Sequence, residues 1–226
     1  MNVVCEVRFF GDLSLLARWG HLQEKLKGTY PKLLVPSAQP GTAPLLQPLR
    51  LATADDDSAV LFSLNLFALS TNSYSTYEVF RGEFETALRA FQEVFALPPL
   101  NRLSLQYKNI LPSAEERPDS AVHPFLKVAV SGMRGSWNAQ PQLALETRHG
   151  RFALRTAVAR PVVPRPMQGI ILDPGVRLDF DCFTTEDVAI DSVLPIMDEA
   201  HGIVEDAFFS IITDEYLGYL KGELES

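Results

Sequence analysis

The sharpest charged spacing in this 226-residue chain is Arg177-x-Asp179-x-Asp181, within the run Arg177-Leu178-Asp179-Phe180-Asp181-Cys182-Phe183. Alternation of this kind is that of a β-strand, whose successive side chains point to opposite faces. The guanidinium and both carboxylates then share one face, and Val176, Leu178, Phe180 and Cys182 share the other. Two carboxylates on one side of a sheet could hold a divalent cation, which would polarise a phosphate ester or activate a water. Glu146, Arg148 and Arg155, from the hairpin that precedes this strand, could join them. The candidate catalytic set is therefore Asp179, Asp181, Arg177, Glu146 and Arg155, and the candidate metal ligands are Asp179 and Asp181. A plainer reading competes with this one: Arg and Asp pairing on a solvent-facing sheet, worth about 0.2–1 kcal/mol per pair. No further acidic motif of a metal-dependent nuclease or cyclase accompanies the three.

Other chemistry finds less support. His21, His123, His149 and His201 are scattered singly, without the spacing of a zinc site. His201 lies beside the apolar stripe of a long helix and reads as a packing residue. There is no GxxxxGK[ST], no GxGxxG after a strand and no GxSxG, and the small-residue run Ser131–Ser136 reads as a turn. Asp55-Asp56-Asp57 invites a cation but has the composition of a solvated hairpin turn. No cofactor is expected.

The elements that would position these residues can be read from periodicity. Val3–Phe10 alternates as a first strand, with Cys5, Val7 and Phe9 opposite Glu6 and Arg8; Leu15, Trp19, Leu22 and Leu26 then mark a helix over Ser14–Lys27. Leu49–Ala54 is a short strand, and Ala59–Ser70 reads as one long central strand. Ser75-x-x-Glu78 has capping-box spacing, and Phe80, Phe84, Leu88, Phe91 and Phe95 form one helical stripe before Pro98-Pro99. Asn101–Asn109 alternates again, with Leu103, Leu105 and Tyr107 opposite Arg102, Ser104, Gln106 and Lys108. The order strand, helix, strand, strand, helix, strand is the βαββαβ order of a ferredoxin-like unit.

Leu111–Pro124 is polar and proline-flanked, a boundary between domains 1–112 and 113–226. Beyond it, Leu143–Arg148 and Gly150–Arg160 read as a hairpin turning at His149-Gly150. After a stiff Arg160–Pro166 connector, Gly169–Phe183 reads as two strands, or one bulged strand broken at Asp173-Pro174-Gly175. Asp191-Ser192 caps a long helix with Pro195 in its first turn and Ile196, Ala200, Ile203, Ala207, Phe208 and Ile211 facing inward; Asp214–Leu224 follows as a last helical piece. The expected fold class is α+β: a ferredoxin-like N-terminal unit, then a β-rich half with a long C-terminal helix.

Composition bounds the function. With 46% hydrophobic and 21% charged residues the chain is ordinary globular protein, and its net charge of −8 opposes non-specific attraction to nucleic acid or an anionic membrane. RNA binding through a ferredoxin-like sheet also needs exposed aromatic residues, which Arg102, Ser104, Gln106 and Lys108 do not provide. Cys5 and Cys182 both fall within strands and read as reduced, packed thiols of a cytoplasmic protein. No apolar run reaches the roughly twenty residues of a membrane span.

In their order along the chain, VVCEVRFF, Tyr30-Pro31, Tyr77 to Phe80, RLSLQYKN, LDFDCF and AHGIVEDAFFSIITDEY resemble a sporadically distributed prokaryotic family of about this length, with no assigned activity. The chain departs from that family's pattern at Ser104 and Gln106, where a glycine and a further arginine are usual. The resemblance implies an accessory gene of a defence, toxin–antitoxin or mobile-element locus, and carries over no site residue. The resulting expectation is a non-catalytic interaction or regulatory module whose partner is another protein or a second copy, with neither nucleic acid nor membrane involved. The alternative is a metal-dependent enzyme acting on phosphate esters or nucleotides through Asp179 and Asp181.

Overall fold

Strand β1 (Asn2–Phe9) buries Val3, Cys5, Val7 and Phe9 and turns Glu6 and Arg8 to its opposite face, as the alternation requires. In the computed structural model, residues 1–36, 47–95, 99–112, 142–159 and 175–220 are described. After β1 come a short 3-10 turn (Leu13–Arg18), helix α1 (Trp19–Leu26), and strands β2 (Lys32–Leu34), β3 (Leu49–Ala52), β4 (Ser58–Ser63) and β5 (Leu66–Thr71). Helix α2 (Tyr77–Val94) and strands β6 (Leu100–Pro112), β7 (Gln142–Glu146), β8 (Gly150–Ala159) and β9 (Gly175–Thr184) follow, and helices α3 (Val193–Ile211) and α4 (Asp214–Leu220) complete the order. The protein is α+β: among the described residues nine strands follow the order β2-β3-β4-β5-β1-β6-β9-β8-β7, with a long C-terminal helix.

Four sequence expectations need correction. Ala59–Ser70 is a hairpin rather than one strand: β4 and β5 pair antiparallel, with Phe62 opposite Phe67 and Leu61 opposite Ala68. The reversal falls at Leu64-Asn65, where the Ser63 hydroxyl donates to Asn65 Oδ1 (3.1 Å) and the Asn65 N–H donates back to Ser63 Oγ (3.5 Å). Such local bonds give the backbone an alternative to a continuous ladder. With β2 added, the N-terminal order becomes β-α-β-β-β-β-α-β, longer than the βαββαβ expected. The cap of α2 is Thr76, whose hydroxyl accepts from the Val79 N–H at 3.4 Å, one residue beyond the expected Ser75. On α3 the buried residues are Val193, Met197, Ala200, Val204 and Ile211, whereas Ile196, Ile203, Ala207 and Phe208 are half-buried. That helix is apolar on more than one side, so periodicity alone leaves the inward stripe undetermined.

The described chain divides into two compact units. The first comprises 1–106, 147–151 and 182–201; the second comprises 107–146, 152–181 and 202–226. In the first, register sets the core: Val7 lies opposite Phe67 and Cys5 opposite Leu69, and Val60 of β4 meets Leu69 from the other side. Onto this face α2 lays Phe84 and Phe91, whose rings lie 6.2 and 4.6 Å from that of Phe67. The phenylalanine stripe read from sequence is therefore the stripe that seats α2. Burying each ring contributes roughly 1.5–3 kcal/mol relative to exposure. α1 is fixed alongside by Arg18, which donates to the Val94 carbonyl at 3.1 Å, and by the Lys25–Glu93 ion pair at 2.5 Å.

In the second unit, Phe152 of β8, Phe180 of β9, Phe208 of α3 and Tyr216 of α4 form a chain of rings with successive centroids 6.2, 6.1 and 6.5 Å apart. Cys5 and Cys182 are both buried and neither is in a disulfide, and burial followed by the Glu6 charge pushes the Cys5 thiol well up. The readings for Phe125–Val130, Ser131–Ser136, Arg160–Pro166 and most of Leu111–Pro124 fall outside the described residues.

Candidate functional site

The ladder on β9 follows the expected alternation. Leu178, Phe180 and Cys182 are buried, and Arg177, Asp179 and Asp181 occupy the other face. On that face Arg177 turns back along its own strand: Nε donates to Asp179 Oδ1 at 2.8 Å and Nη2 approaches Oδ2 at 2.6 Å. Both oxygens of Asp179 are thereby committed to one guanidinium, the fork geometry that binds a carboxylate most strongly. Asp181 and Glu146 are also engaged. Glu146 and Arg155 are exposed on β7 and β8 of the same unit. Among the described residues, no three His, Cys, Asp or Glu side chains converge where a cation could sit. Of the five candidates, the geometry joins Arg177 to Asp179.

A second constellation, in the first unit, has no motif to mark it in the sequence. Tyr77 and Arg81 stand one turn apart at the start of α2, and Asp198 and His201 one turn apart on α3. The Tyr77 hydroxyl donates to Asp198 Oδ1 at 2.6 Å, and Arg81 grips the same carboxylate through Nε at 2.6 Å and Nη2 at 3.1 Å. The His201 ring lies parallel on that of Tyr77, with centroids 3.8 Å apart and planes at 10°. Arg81 also reaches Glu85 (3.3 Å), which is bonded in turn to Arg89 (2.5 Å). Glu199, next to Asp198, meets His149 Nε2 at 3.3 Å. The helical spacings Tyr77/Arg81 and Asp198/His201 are present in the sequence. What connects them is a pairing of helices that no local pattern announces.

The electrostatics of this cluster suit a clamp better than a proton-transfer centre. Burial, then the hydrogen bond to Asp198, pushes the Tyr77 hydroxyl far above its ordinary range. For Asp198 burial pushes upward, but the hydrogen bonds from Arg81 and Tyr77 and the Arg81 charge outweigh it and hold the carboxyl below its usual value. General acid–base catalysis needs groups tuned toward the working pH, and these two are moved away from it in opposite directions.

Across β9 and β6, the Arg102 guanidinium carbon lies 4.1 Å from the Phe183 ring centroid, a cation–π contact. Ser104, expected on an open polar face of β6, is fully buried, so β6 is covered on both faces there. The Asp55–Asp57 turn matches its plain reading: Asp55 Oδ1 accepts from the Thr53 hydroxyl (2.6 Å) and the Asp57 N–H (3.2 Å), and Asp56 takes the left-handed backbone at φ 67°.

Among the described strands, β2 ends the sheet order on the β3 side. Its Leu33 and Leu34 are 40% and 42% accessible, and Val35, the residue just past the strand, is 71% accessible. Pro31 and Pro36 bracket the segment, and Lys32 ties it to Asp56 at 2.8 Å. Among the described residues, no helix is long and apolar enough to cross a membrane. Compared with known protein families and with curated proteins, the sequence matches none.

Proposed function

We propose that this protein is a non-catalytic interaction module that engages another protein, or a second copy of itself, through the β2 edge. The observation that carries the reading is the exposed pair Leu33 and Leu34 on the strand that ends the described sheet, with exposed Val35 just beyond it. Exposed apolar residues there favour an added strand or an apolar partner surface. The charged constellations support it indirectly. Asp179 is spent on Arg177 and Asp198 on Arg81 and Tyr77, so both act as structural pairs. Light scattering after gel filtration, with affinity capture from host lysate, tests this on the wild type and on Leu34→Asp. A wild-type complex or dimer that Leu34→Asp disrupts, with the fold intact by circular dichroism, is the expected result. A monomeric wild type that captures nothing the variant does not would sink it.

Within the same reading we place the protein in the prokaryotic cytoplasm as the product of an accessory locus for defence, a toxin–antitoxin pair or a mobile element. The motif resemblance and the two buried cysteines, neither in a disulfide, support this. The N-terminal part we take as an elaborated ferredoxin-like unit, since β1 lies between β5 and β6 and both β1 and β5 face α2. That fold hosts many functions and selects none. The alternative remains a metal-dependent enzyme acting on phosphate esters or nucleotides through Asp179 and Asp181. It would require a cation to displace Arg177 from Asp179.

A further inference from the structure

We draw no further inference here: the strongest candidate, the exposed apolar run of Leu33 and Leu34 on strand β2 and Val35 just past it, is the surface the proposed function already uses, and nothing in the structure shows what covers it.

Discussion

Tyr77 and Asp198, 121 positions apart in the chain, meet in a 2.6 Å hydrogen bond in which the phenol donates and the carboxylate accepts. The same carboxylate receives Arg81 in a two-point grip, so one side chain of α3 holds two successive turns of α2. Asp198→Asn removes the carboxylate that Arg81 grips at two points, although Arg81 keeps Glu85, and is expected to cost about 1 kcal/mol at neutral pH, a figure discounted for screening because the carboxylate is 43% accessible. Its carboxyl is depressed in the folded protein. The stabilisation is therefore present above the ordinary value of 3.8 and is lost as pH falls through the folded one. Urea unfolding of both proteins at pH 7 and at steps below 3.8 should show the gap closing as acid is added. A gap that persists unchanged in acid would mean that charge is not what Asp198 contributes.

At the alkaline end the sign reverses. Burial, with the Glu83 charge behind it, pushes the Tyr30 hydroxyl up to about 12, and Tyr77 is raised further. From pH 10 upward the unfolded chain gives up these protons while the folded chain retains them, so stability falls as pH rises through this window. Tyr30→Phe should flatten the decline between pH 10 and 12 in thermal unfolding. Tyr77→Phe should flatten it as well, and at neutral pH should cost about 1 kcal/mol for the lost hydrogen bond.

Gly150 opens β8 against the backbone of β9. A Cβ there would lie 2.0 Å from the Phe183 carbonyl oxygen and 2.6 Å from the Thr184 Cα. Neither atom is the tip of a flexible side chain, so Gly150→Ala must move a strand. The expected loss is about 3 kcal/mol or more, at the upper end for overpacked sites. Gly28 is the control, since a Cβ added there would meet nothing within 4 Å; Gly28→Ala should stay near wild type by denaturant midpoint.

The Arg177–Asp179 fork separates the two functional readings. Calorimetric titration with Mg²⁺ or Mn²⁺ should give no saturable heat, and Asp179→Ala should cost less than about 1 kcal/mol, because the pair is partly exposed. Saturable binding that vanishes in an Asp179→Ala/Asp181→Ala double variant would replace the interaction reading with the metal-dependent one.

By itself the sequence determined what short-range pattern can encode. Cys5, Val7 and Phe9 announced β1, the phenylalanines of α2 announced its buried face, and alternation placed Arg177 and Asp179 on one side of β9. Local pattern also holds a clue to the β4–β5 hairpin. Phe62 and Phe67 are an odd number of residues apart, so a single strand would split them across two faces, whereas a reversal at Leu64-Asn65 puts both on the α2 side. Only the tertiary structure decided which helices meet. The bond between Tyr77 and Asp198, the stack of His201 on Tyr77 and the close approach of Gly150 to Phe183 each join distant segments. Their partners are chosen by how the whole chain buries its apolar surface, a choice that neighbouring residues do not record.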